Sequence, residues 1–192
     1  MIETAHFQKV EITSHEQLRE WLEENHAQYE SVWLVTFKKN QGIQYVSRWE
    51  VLDEFICFGW IDGIRRKMDE KKTMQLISPR RVQHWTKSYK DRASKLIQEG
   101  RMHTSGLEAI RISKENGLWN FMDDVDNLLI PDDLEKALAK RLGATDFFEN
   151  INASSKRNAL RWVKLAKTPK TRNSRIEKIA HLSALGLKLS GS

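Results

Sequence analysis

The residues of this 192-residue chain best suited to chemistry are one carboxylate and four arginines, together with two tryptophans. Asp62 follows Trp60 and Ile61 at an expected helix-to-strand connection. There a carboxylate can receive the two parallel N–H groups of a guanidinium, and Arg80, Arg101, Arg172 and Arg175 are the candidate donors. Two arrangements satisfy that pattern. In the first, an internal salt bridge fixes the connection and Trp60 belongs to the core. In the second, Trp60, Asp62, Arg80, Trp85 and Arg101 line a cleft whose aromatic wall and cationic groups hold a small anionic or planar ligand. Arg172 and Arg175, three apart on one face of the last helix, would close such a cleft.

Established catalytic signatures are missing from the sequence. It contains no phosphate-binding G-x-x-x-x-G-K-[ST], no G-x-G-x-x-G after a strand, no H-E-x-x-H, no G-x-S-x-G and no paired cysteines at metal spacing. The six histidines lack i, i+4 pairing and read as surface or core polar groups. Asp123, Asp124 and Asp126 form a solvated acidic loop without the glycine and distal glutamate of a calcium loop. Cys57, the single cysteine, lies among Phe55, Ile56 and Phe58 and reads as a small buried hydrophobe. Neither a cofactor nor a metal is expected. The reading is therefore binding rather than catalysis, with an enzyme using Asp62 as general base beside an arginine clamp as the alternative.

Those side chains must be positioned by a core, and 40% hydrophobic residues supply one. Alternation from Ser31 to Lys38 predicts a strand covered on both faces, and Asn40-Gln41-Gly42 a turn returning through a short partner strand over 43–46. Capping boxes at Thr13 to Glu16, Ser47 to Glu50 and Ser105 to Glu108 announce helices. Residues 64–68 and 73–77 predict an antiparallel hairpin around a polar turn. After Pro79 the periodicity is helical, ending with a helix from Pro169, capped by Thr168, to about Leu185. The fold class is thus α+β: a small antiparallel sheet with packed helices, then an all-helical part. The acidic run near Asp123 divides an α+β core at 1–122 from a basic helical region at 123–192, unless the two form one continuous domain.

Charge is organised in blocks. Residues 1–63 carry net −6, 64–114 net +9, 115–153 net −6 and 154–192 net +9. Either the blocks meet one another across the protein surface, or the two basic ones converge on a cleft for an anion. The opening residues lack a basic region and an apolar run, and no later stretch is long enough to span a bilayer, which predicts a cytoplasmic protein without membrane insertion. A nucleic-acid partner held by the basic helices near Ser155 and Pro169 is a weaker reading, because Lys156, Arg157, Arg161, Lys164 and Lys167 spread around their helix.

Several motifs occur together and in order: Cys57-Phe58-Gly59-Trp60-Ile61-Asp62-Gly63, Ser78-Pro79-Arg80-Arg81, Trp85, Leu96 to Met102 with Gly106-Leu107, and Gly117-Leu118-Trp119. With Trp162-Val163, Ala166-Lys167 and Thr171 to Ile176 they resemble the YdeI/OmpD-associated family over roughly residues 30–188. The resemblance implies a role in bacteriocin protection, stress or antimicrobial tolerance and, through the family's name, a protein partner. It implies no defined reaction. Around Trp85 the family commonly shows Ser-x-Trp-Ser-x-x-Asn, whereas this chain has Gln83, Thr86 and Tyr89 at those places.

Overall fold

A computed structural model describes residues 6–189, which form two compact units divided between Asn120 and Phe121. In the first unit a four-stranded sheet in the order β1-β2-β4-β3 is built from β1 (Lys9–Glu11), β2 (Val32–Phe37), β3 (Trp60–Lys67) and β4 (Lys72–Pro79). The β2–β4 and β3–β4 pairings are antiparallel, as the hairpin pattern predicts, while β1 adds a parallel edge. Val32 and Leu34 on β2 and Ile77 on β4 turn toward α1 (His15–Asn25) and α2 (Arg48–Phe58), forming one core with Leu18, Leu22, Val51 and Phe55. All six residues of β2 are buried, which explains its continuous apolar character. Two further helices complete this unit, α3 (Lys87–Gln98) and α4 (Thr104–Glu115).

Three local expectations need correction. Residues 43–46 do not form a partner strand, because both edges of β2 are taken by β1 and β4. The chain instead winds into a 3-10 helix at Lys39–Gln44, with Gly42 at φ +62° and its carbonyl accepting from the Tyr45 N–H. Helix α1 is capped by Ser14, whose hydroxyl accepts from the Gln17 N–H, while the Gln17 side chain accepts from the Thr13 N–H. The capping pattern is thus displaced by one residue. Helix α4 is capped by the His103 ring rather than by Ser105. The Ser47–Glu50 capping box forms as expected.

The second unit is helical: α5 (Asp123–Asp126), α6 (Asp132–Ala139), α7 (Ala144–Asn150), α8 (Ala153–Lys164) and α9 (Pro169–Ala184). Its core gathers Leu134, Phe148, Leu160, Val163, Ile176 and Ile179. Thr168 caps α9 ahead of Pro169. Within this unit acidic and basic blocks meet, Lys164 pairing with Asp124, Arg141 with Glu177 at 2.6 Å, and Arg172 with Asp133 through two hydrogen bonds of 2.6 and 2.9 Å. Among the described residues no helix is long and apolar enough to cross a membrane.

Candidate functional site

The β3–β4 pairing contains a bulge that decides which side chains share a face. Asp62 lies opposite Ile77 and Arg65 opposite Gln75, so three steps along β3 match two along β4. In an unbroken strand Asp62 and Arg65 would point to opposite faces. The extra residue brings both to the buried amide of Gln75, which accepts from Arg65 Nη2 at 2.7 Å and donates to Asp62 Oδ2 at 3.2 Å. Helix α3 supplies the fourth member of this row, because the Tyr89 hydroxyl donates to Asp62 Oδ1.

Beside that row lies a cleft of about 220 Å³, walled by Asp62, Arg80, Gln83, His84, Thr86 and Tyr89. Arg80 is anchored from both ends. Its backbone N–H donates to the carbonyl of Gly59 at 2.8 Å, and its Nη1 donates to the carbonyls of Gln83 and His84 at 3.2 and 3.4 Å. The guanidinium lies 4.0 Å from the centroid of Trp85 and 5.7 Å from that of Tyr89. Its Nε is buried without a hydrogen-bond partner among the described residues. Burial pushes the Arg80 pKa down to about 10, opposed by Tyr89 and Asp62, so the group stays charged at neutral pH. Tyr89 moves the other way: burial first, then its hydrogen bond to Asp62, raises the phenol well above its ordinary value and keeps it a donor.

Within the first unit the sequence candidates separate in space. Asp62 and Arg80 meet at this cleft, and Trp85 stands behind Arg80, fully buried, its indole N–H donating to Ser113 Oγ at 2.8 Å. Trp60 is a core residue with no exposed surface, edge-on to Trp21 at 5.5 Å. Arg101 turns to Glu54, a carboxylate with no exposed surface that also receives Arg19 and His15 at 3.0 and 2.7 Å. In the second unit Arg172 is held by Asp133, and Arg175 donates to the Trp162 carbonyl beneath its own ring contact with that tryptophan. The hydrogen-bond partners of the Asp62 carboxylate are therefore a tyrosine and a glutamine rather than an arginine fork.

Sequence reasoning missed Glu54, Gln75 and the position of Tyr89 in the wall of the cleft. Glu54 falls on the apolar stripe of α2, where its burial beside Phe55 is a visible anomaly. Gln75 breaks the apolar alternation of β4 in the same way. Cys57 is buried, and burial followed by the nearby Glu54 pushes its thiol up to about 11. That leaves it an unreactive packing residue at neutral pH.

Fold and site together define an α+β protein with a helical second unit and a small cleft walled by a stacked arginine. No group of three or more His, Cys, Asp or Glu suited to a metal ion occurs among the described residues. The chain belongs to the family described as Domain of unknown function (DUF8412), which matches residues 10–109, over half its length. Residues 127–186 match the family described as Bacteriocin-protection, YdeI or OmpD-Associated, a partial-length match that bears out the resemblance. The aromatic motifs from Cys57 to Met102 lie within the first match, and Trp162 to Ile176 within the second. No curated protein and no solved structure matches the chain. Gln83, Thr86 and Tyr89, where the chain departs from the YdeI/OmpD-associated pattern, all line the cleft.

Proposed function

We propose that this is a cytoplasmic binding protein acting in stress or antimicrobial tolerance, and that the cleft beside Arg80 takes a small planar carboxylate. The observation that carries the reading is the Arg80 side chain: a charged group packed on Trp85, held by two carbonyls, with a buried Nε that none of the described residues satisfies. A buried unpaired donor is costly, and a ligand or water acceptor relieves it. Planar ligands are favoured by the aromatic surface of Tyr89 and the confined volume. Binding is favoured over catalysis because both oxygens of Asp62 already accept hydrogen bonds.

Calorimetric titration with a panel of aromatic and aliphatic carboxylates tests it. At least one planar carboxylate should bind, and Arg80→Met should weaken it about tenfold or more, the loss of one charge-assisted hydrogen bond. Equal affinity in wild type and Arg80→Met would sink the reading.

A further inference from the structure

A second cavity, of about 240 Å³, opens where the end of β2 and the 3-10 segment meet the start of α2. Its lining includes the cations Lys39, Arg48 and Arg65 and no carboxylate. Among the described residues none of these three has an ion-pair partner. Arg48 stacks on the adjacent Trp49 at 5.5 Å, and the Arg65 guanidinium donates to the Gln75 amide. Lys38, by contrast, spends its ammonium on the carbonyls of Asp69 and Glu70 at 2.8 and 3.0 Å.

Elsewhere in the chain several arginines do find acids: Arg19 and Arg101 reach Glu54, Arg92 reaches Asp53 and Arg172 reaches Asp133. Three cations around one concavity, with no acid to neutralise them, focus positive potential into it. The remaining lining is not that of a bare ion site. Val46 and Val51 are buried there, the Tyr45 ring is partly exposed, and the paired hydroxyls of Thr36 and Thr73 lie 3.3 Å apart. Together these offer an apolar and aromatic surface, hydroxyl donors and several cationic donors, the combination that recognises a phosphate group carried on a small organic body.

From this geometry we infer that the cavity is a binding site for a small phosphate monoester, separate from the Arg80 cleft. Lys39, Arg48 and Arg65 receive the phosphate oxygens, and Tyr45, Val46 and Val51 receive the organic part. The size of the cavity limits that part to about one ring or a short chain.

Phenyl phosphate and inorganic phosphate, titrated separately at low ionic strength and followed by calorimetry and amide NMR shifts, test the site. Phenyl phosphate should bind at least about tenfold more tightly than inorganic phosphate, with shifts at Tyr45, Arg48 and Thr73. Exposed Lys39 and Arg48 can be changed without touching the core. Lys39→Gln with Arg48→Gln should weaken phenyl phosphate by about tenfold or more, since each charge-assisted hydrogen bond contributes at least that factor. Lys95→Gln with Lys114→Gln, which removes the same charge elsewhere, should leave affinity within twofold, as should Arg80→Met. Equal losses in both charge-removal pairs, or equal affinity for the two phosphates, would overturn the assignment. Loss in Arg80→Met alone would also overturn it, by moving the phosphate to the other cleft.

Discussion

Tyr89, on the first turn of α3, gives its phenolic hydrogen to the Asp62 carboxylate on β3. The contact ties a helix to the bulged strand at the place where the chain leaves the α2 core, and Gln75 completes it from the neighbouring strand. Removing only the hydroxyl leaves the ring under Arg80 and strips one acceptor of its partner. Tyr89→Phe should therefore cost about 1–2 kcal/mol in urea unfolding. In a double-mutant cycle with Asp62→Ala, a coupling energy indistinguishable from zero would show that the hydrogen bond contributes nothing to stability.

Glu54, unlike the half-buried Asp62, is a fully buried carboxylate. Its two oxygens receive Arg19, Arg101 and His15, and Arg19 also donates to the Arg101 carbonyl at 3.3 Å, so that α1, α2 and the segment before α4 share one ionic node. Replacing the acid leaves two partly exposed guanidinium groups without their shared acceptor. Glu54→Ala should lose about 3–5 kcal/mol, the usual consequence of stranding one side of a buried ion pair. Arg101→Met, which removes one partner of three from the solvent edge, should lose less. The comparison of urea midpoints checks the order, and a larger loss in Arg101→Met would contradict it.

Much of this architecture could be read from local pattern, and the failures share a cause. The hairpin, the covered strand β2, the Ser47 cap and the Thr168-Pro169 start of α9 are set by neighbours in sequence, so periodicity and capping chemistry suffice to find them. The 3-10 turn after Lys38 and the parallel edge strand β1 depend on which strand edge is already occupied, which only the assembled sheet decides. The same holds for the arginines. Residue type nominated Arg80, Arg101, Arg172 and Arg175 alike, but partner choice rests on tertiary placement of Glu54, Asp133 and Trp85.

One motif residue acquires a reason that periodicity does not supply. A Cβ built on Gly106 would stand 2.1 Å from the Cys57 carbonyl oxygen and 2.8 Å from that of Ile56, so α4 crosses the end of α2 with backbone against backbone. Neither helix can yield without separating the core around Phe55 and Phe58. Gly106→Ala should destabilise by about 3 kcal/mol or more, beyond the ordinary overpacking range because the obstacle is main chain. Gly100→Ala is an instructive control: nothing lies near its Cβ, and its cost should come from positive φ alone, about 1 kcal/mol. Equal melting temperatures for the two variants would refute the packing account.

His103 gives the first unit a pH response whose sign can be worked out. Its Nδ1 accepts from the Ser105 N–H at 3.2 Å as the cap of α4, a role that needs an unprotonated nitrogen. Burial lowers its pKa below the ordinary 6.5, and His26, whose ring centroid lies 4.5 Å away, adds to the effect. Glu23 opposes it and Arg19 reinforces it. Because the folded pKa is the lower one, the unfolded chain takes up the proton first as pH falls. The stabilising contribution of the neutral ring is complete above about pH 6.5 and is lost as pH falls through the lower folded value. An asparagine at this position caps the helix through its side-chain oxygen and does not titrate. His103→Asn should therefore show a smaller fall in urea midpoint between pH 7.5 and 5.5 than the wild-type chain, with similar stability at the upper pH. Identical falls in the two proteins would mean that the ring carries no proton-linked stability, and that the cap survives protonation.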